Sequence, residues 1–212
     1  MHTAYCSSSL IIQLEKFDQT RTRCLHILTK CSFSRIMSKQ ELQQKSLENG
    51  GVSYEESLEA EKLEPSLYDR IGHEGFVQLS TSFYDKIFAD KESAWFLNIF
   101  SSSTKQEAIE NQYLFLIQTF GGPDLYKQKK GKYTRLAGRH ANYKIGTQAA
   151  HRWMHHMTAA IEEQHNSSLD QEAKAKLLKY FTYTAHYIVG AMTYMRSDQL
   201  SGGTQVDYGR VW

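Results

Sequence analysis

From residue 66 to about residue 196, apolar side chains recur every three or four positions with almost no interruption. Phe76, Leu79, Phe83 and Ile87 form one stripe. Ala150, Trp153, Met157 and Ile161 form another, and Leu177, Phe181, Ala185, Ile188 and Met192 a third. That spacing places each set on one face of an α-helix. Proline would break such helices, and it occurs twice in 212 residues, at Pro65 and Pro123, outside every stripe. A sandwich or barrel of strands needs more turn punctuation than this, so the fold class is all-α.

Local signals mark where the helices begin and end. Pro65-Ser66 opens a short helix holding Leu67 and Ile71, which stops near Gly72. Thr104-x-x-Glu107 is a capping box. It opens a stripe of Ala108, Gln112, Phe115 and Thr119, which Gly121-Gly122-Pro123 ends. Residues 124–146 have no helical period, carry Gly131, Gly138 and Gly146, and read as a long irregular segment. Such segments inside compact domains often carry function. A helix follows from Thr147, and Ser168-x-x-Gln171 caps a last long one.

The chain divides by composition. Residues 37–65 are polar and acidic and read as a flexible or weakly helical leader, so that residues 1–65 together form a flexible extension ahead of the helical domain. Residues 66–196 are the helical domain, and residues 197–212, with Gly202-Gly203, a C-terminal tail. Residues 1–36 are basic and contain Ser and Thr, as an organelle transit peptide would. Two acidic residues and weak amphipathicity favour the other reading, in which Met37 is the working start.

Several function classes fall away. The 25 basic and 23 acidic residues leave a formal charge of +2, too balanced for a nucleic-acid surface. The 3 cysteines, Cys6, Cys24 and Cys31, sit at one end and make no disulfide framework, and the rest of the chain has none to ligate zinc or an iron–sulfur cluster. No stretch approaches the ~20 apolar residues of a membrane span. Leu10-Ile11-Ile12 is too short for a secretory signal. Cytoplasm is the default location.

Of nine histidines, most have ordinary explanations. His151, His155 and His156 share one helix and read as solvated surface residues; Arg152 stands where a zinc protease needs glutamate. His186 reads as a core-edge residue. His140 lies instead in the irregular segment, where a lone histidine is usually just a polar surface residue. Tyr84, Gln112 and Trp153 change its weight. Each brings a polar hydrogen onto or beside an apolar helical face, where burial without a partner is costly. Backbone partners would satisfy them singly. Three on three separate helices suggest one shared target, such as a small molecule on a metal opposite His140.

These residues carry a resemblance. Leu67-Tyr68-Asp69-Arg70-Ile71-Gly72, Phe83-Tyr84, Gly121-Gly122-Pro123 and Arg139-His140, with Trp153 thirteen residues on, resemble the truncated (2-on-2) haemoglobins of group II, plant type. The resemblance runs from about Leu67 to Met195. It implies a truncated globin fold, a two-over-two helical sandwich around one haem b (iron protoporphyrin IX). His140 matches the proximal iron ligand, and Arg139 a residue that pairs with a haem propionate through its fork of donors. Tyr126 falls near a propionate. Tyr84 and Trp153 match donors to the bound gas, and Phe100 a ring against the haem face. Ala108 stands where larger globins place a distal histidine, Gln112 adds an amide one turn later, and Ile145 touches the porphyrin from the proximal side.

The function implied is reversible binding of O2, CO or NO at five-coordinate iron, tight enough for storage, sensing or scavenging. The alternative is a redox enzyme, an NO dioxygenase or peroxidase-like activity. No flavin or nicotinamide fingerprint is present, so sustained turnover would need an external reductase. Coordination of the ligand-free iron by Lys144 or a nearby histidine, and a homodimer, stay open. A helical module without haem is the third class.

Overall fold

In a computed structural model, residues 38–131, 136–164 and 169–200 are described, with side chains to residue 196. The helices number α1 to α9 in chain order: Lys39–Gly50, Tyr54–Ser57, Leu67–Ala89, Ala94–Leu97, Lys105–Thr119, Leu125–Lys130, Leu136–His140, Thr147–Glu162 and Gln171–Leu200. A 3-10 turn, Asn98–Phe100, follows α4 directly. Among the described residues there is no strand, and no helix is long and apolar enough to cross a membrane.

The principal layers are two helix pairs, α3 with α5 and α8 with α9, joined by contact of α3 with α8. This is the expected two-over-two arrangement. One core runs through it. Phe76, Phe83, Phe120, Leu79, Ile117, Met157 and Ile161 are fully buried, and Phe120 stacks on Phe76 at 6.1 Å and meets Tyr180 edge-on at 4.9 Å. Each ring buries a large apolar area, and edge-to-face pairs add to that.

The boundary signals act as expected at several points. The Thr104 side chain accepts the Glu107 amide, and the Glu107 carboxylate accepts the Thr104 amide at 2.9 Å. α3 leaves helical geometry at Gly72, where φ is +63°, a value that favours glycine. At Gly122 a Cβ would lie 2.8 Å from the Ile117 carbonyl oxygen and 2.5 Å from its Cγ2. Only glycine lets the chain turn that tightly against α5. Ser168 lies outside the described residues. The side chain of Asp170 accepts the Ala173 amide at 2.8 Å and caps α9.

Two expectations need correction. The segment expected as a flexible or weakly helical leader carries two capped helices over residues 38–57. Ser38 with Glu41, and Ser53 with Glu56, form capping boxes. α1 packs on α9, burying Leu42, and the Ser46 hydroxyl donates to the Tyr183 carbonyl at 2.8 Å. The irregular segment 124–146 contains α6 and α7, each too short to display a period.

His156 also departs from its surface reading. It is buried, and its Nε2–H donates to Asp90 at 2.9 Å. Burial pushes its pKa below 6.5, and burial with the nearby His151 does the same for His186. The folded protein holds both rings neutral at a pH where the unfolded chain takes up protons, so acid favours unfolding. The urea midpoint should therefore be lower at about pH 5.5 than at about pH 7.5. Equal midpoints would contradict this account of the two histidines.

Candidate functional site

The fold brings the nine residues singled out in the sequence to the walls of one cavity of about 480 Å³. Tyr84 comes from α3, Phe100 from the 3-10 turn, and Ala108 and Gln112 from α5. Tyr126 comes from α6, Arg139 and His140 from α7, Ile145 from the loop after it, and Trp153 from α8. The volume is that of an ordinary cofactor site. Most of the lining is apolar, as a flat hydrophobic guest requires.

His140 ends α7, and helical geometry turns its ring back on its own helix. The Nδ1–H donates to the Leu136 carbonyl at 2.7 Å, because a carbonyl can only accept. This bond fixes the tautomer and leaves Nε2 with its lone pair, the form a metal needs. Burial lowers the pKa of the imidazole; the Leu136 hydrogen bond pulls the other way, neighbouring Arg139 adds to the lowering, and the neutral ring is favoured. Arg139 lies over the Tyr126 ring, its guanidinium carbon 4.8 Å from the centroid. The cation is stacked rather than free to swing.

The opposite wall is built on rings. Tyr84 meets Phe83 at 5.0 Å and Phe100 at 5.8 Å, both edge-on. Trp153 packs on Phe83 at 5.0 Å and on Phe181 at 5.4 Å. Burial holds the Tyr84 phenol protonated far above its usual range, so its hydroxyl stays a donor. On α5 the methyl of Ala108 takes little space, while the buried side-chain oxygens of Gln112 and Asn111 have no hydrogen-bond partner among the described residues. Such groups are costly unless something else meets them.

The cavity therefore fits an iron porphyrin on features of its own: a neutral histidine with one nitrogen free, a stacked guanidinium suited to a carboxylate, apolar walls, and two buried amide oxygens that lack partners among the described residues. Residues not foreseen also line it, among them Asn111, Phe96, Tyr143 and Thr184. Asn111 neighbours Gln112 one step off the stripe, which is the signal that would have found it. Tyr143 bonds through its hydroxyl to the Ser102 hydroxyl at 2.8 Å, linking the loop after His140 to the loop before α5. The short loop around Ile145 is tied to α9, because the Arg196 guanidinium donates to the Ile145 carbonyl.

Comparison with known proteins bears on the family and the fold. The bacterial-like globin family model matches residues 66–187. The chain is 41% identical over 150 residues to two-on-two hemoglobin-3 of Arabidopsis thaliana, covering 71% of this chain and 82% of that protein. It is 39% identical over 153 residues to group 2 truncated hemoglobin 3-1 of Lotus japonicus, covering 72% and 88%. Among solved structures, a thermostable hemoglobin from Thermobifida fusca matches with a TM-score of 0.52 and 30% identity, over 58% of this chain and 96% of that one. A truncated oxygen-avid haemoglobin from Bacillus subtilis matches with a TM-score of 0.50 and 29% identity, over 58% and 98%. The chain belongs to the bacterial-like globin family, as a two-on-two haemoglobin of the plant group II type.

Proposed function

We propose that this globin holds haem b with His140 as the proximal ligand and binds O2, CO or NO reversibly and tightly, in storage, sensing or scavenging. The observation that carries the reading is the convergence of His140, its Nδ1–H already engaged, with Tyr84, Gln112 and Trp153 on one cavity. The haem supplies an iron that takes a diatomic gas and shifts electron density onto it.

The remaining roles belong to the chain. Nε2 of His140 would hold the iron, with the ring oriented by the Leu136 carbonyl. Arg139 and Tyr126 serve the propionate edge. Phe100 and Ile145 would pack against the porphyrin, and the walls around them would keep water out. The Tyr84 hydroxyl and the Trp153 indole would donate to the gas, and the Gln112 amide could add a third donor through its NH2. Ala108 leaves the way open, since its methyl neither blocks nor bonds.

Turnover of NO in the presence of a reductant separates this reading from a redox enzyme. Ferrous protein carrying O2 should consume a single equivalent of NO and show no repeated turnover when a reductase and its electron donor are supplied. Sustained consumption under those conditions would replace gas binding with NO dioxygenation as the activity.

A further inference from the structure

A buried carboxylate outside the cavity joins the elements that carry the distal groups. Asp90 caps the C-terminus of α3, and its side chain is only 3% exposed. Its Oδ1 accepts the Ser93 amide at 3.1 Å and Nη2 of Arg152 at 2.8 Å. Its Oδ2 accepts Nε of Arg152 at 2.7 Å and Nε2 of His156 at 2.9 Å. Both oxygens are thus fully used. Ser93 opens α4, and Arg152 and His156 lie one turn apart on α8.

Each of the joined elements leads to one distal side chain. Tyr84 sits on α3, six residues before Asp90. Phe96 on α4 stacks on the His156 ring at 6.0 Å and 24°, and meets Phe100 edge-on at 5.3 Å; Phe100 in turn meets Tyr84 at 5.8 Å. Trp153 directly follows Arg152. The exposed pair of Lys105 with Asp85, by contrast, is an ordinary surface contact whose two partners are 40% and 56% exposed.

We propose that Asp90 is a positioning residue for the distal site: one carboxylate sets where Tyr84, Phe100 and Trp153 stand relative to one another, without touching the gas or the haem. The inference rests on the gas-binding reading for its consequence, and on geometry alone for the positioning. The bidentate grip is essential to it, since the planar guanidinium fixes direction as well as distance. Charged groups around the cluster are Lys86, Lys91 and Glu92 beside Asp90, and His155 on α8. Burial and the neighbouring Arg152 and His155 favour neutral His156, while Asp90 opposes them.

The test uses the haem-loaded protein and two signatures. The first is the C–O stretch of its CO complex, which reports hydrogen bonding at the distal side. The second is the indole N–H resonance of Trp153, assigned by its loss in Trp153→Phe. Asp90→Asn should move the indole resonance, split or shift the C–O band, and speed O2 release by about tenfold, as for a misaligned donor. His156→Gln keeps an amide donor near Nε2 but loses the ring that Phe96 stacks on, so it should shift the C–O band less than Asp90→Asn and leave the Trp153 indole resonance in place. Lys105→Met should change neither signature.

An Asp90→Asn protein with lowered thermal stability but both signatures unchanged would reduce Asp90 to a structural residue and overturn the proposal. If Asp90→Asn does not fold, Arg152→Lys keeps the charge, loses the fork, and decides by the same signatures. A wild-type chain that takes up no haem ends the gas-binding reading instead. The indole resonance then decides the positioning alone.

Discussion

Trp153→Phe should release O2 about tenfold to a hundredfold faster than the wild type. A hydrogen bond to a charge-bearing acceptor contributes about 1.5–3 kcal/mol, and each ~1.4 kcal/mol is a factor of ten. Phenylalanine keeps an aromatic ring between Phe83 and Phe181, which Trp153 contacts at 5.0 and 5.4 Å, but removes the indole N–H. The change therefore isolates the donor better than alanine, which would also open a hole. Tyr84→Phe tests the second donor on the same grounds, because its ring contacts survive the loss of the hydroxyl. Stopped-flow displacement of O2 by CO measures both. CO carries less negative charge than O2, so its own release should change far less. Equal O2 release in all three proteins would remove these side chains from ligand retention.

Phe83→Ala should cost about 3–5 kcal/mol of folding stability, the range for a buried aromatic ring cut to a methyl. Phe83 is 0% exposed and sits between the Tyr84 and Trp153 rings, 5.0 Å from each. Its loss leaves a cavity that rings on two different helices cannot close together. Against a typical net stability of about 5–15 kcal/mol the effect is severe. Phe83→Leu fills most of that volume and should cost under about 1.5 kcal/mol. Urea midpoints at constant slope measure both. A small loss for the alanine variant would mean that the distal rings repack freely, and the rigid wall described above would be wrong.

The parts legible in the sequence were those encoded locally. The stripes of α3, α5, α8 and α9 announce themselves because each helix is long enough to repeat its apolar face. Thr104, Gly72 and Gly121-Gly122 mark boundaries because capping and left-handed turns depend on residues a few positions apart. α1 leaves only a weak helical signal in the sequence, because a helix that buries little beyond Leu42 and Ser46 shows no stripe. Its Ser38-x-x-Glu41 box was nevertheless present to be read. α6 and α7 were missed because five or six residues cannot display a period.

The site divides in the same way. Tyr84, Gln112 and Trp153 stood out because polar hydrogens on apolar faces violate the pattern. The remaining assignments came from the resemblance and not from spacing. The Asp90 hub had no local signature, because Arg152 and His156 lie more than sixty residues away in sequence and meet it only in the fold. His156 was misread for that reason. Nothing in its neighbours announces the carboxylate that buries it.

The most direct test of the central claim is the absorption spectrum of His140→Gly, oxidised, reduced and reduced with CO, with and without added imidazole. If Nε2 of His140 is the proximal ligand, the variant should lose the wild-type reduced and CO spectra, and imidazole entering the space left by the side chain should restore them. Wild-type spectra in the variant without imidazole would contradict the assignment and place the iron on another residue.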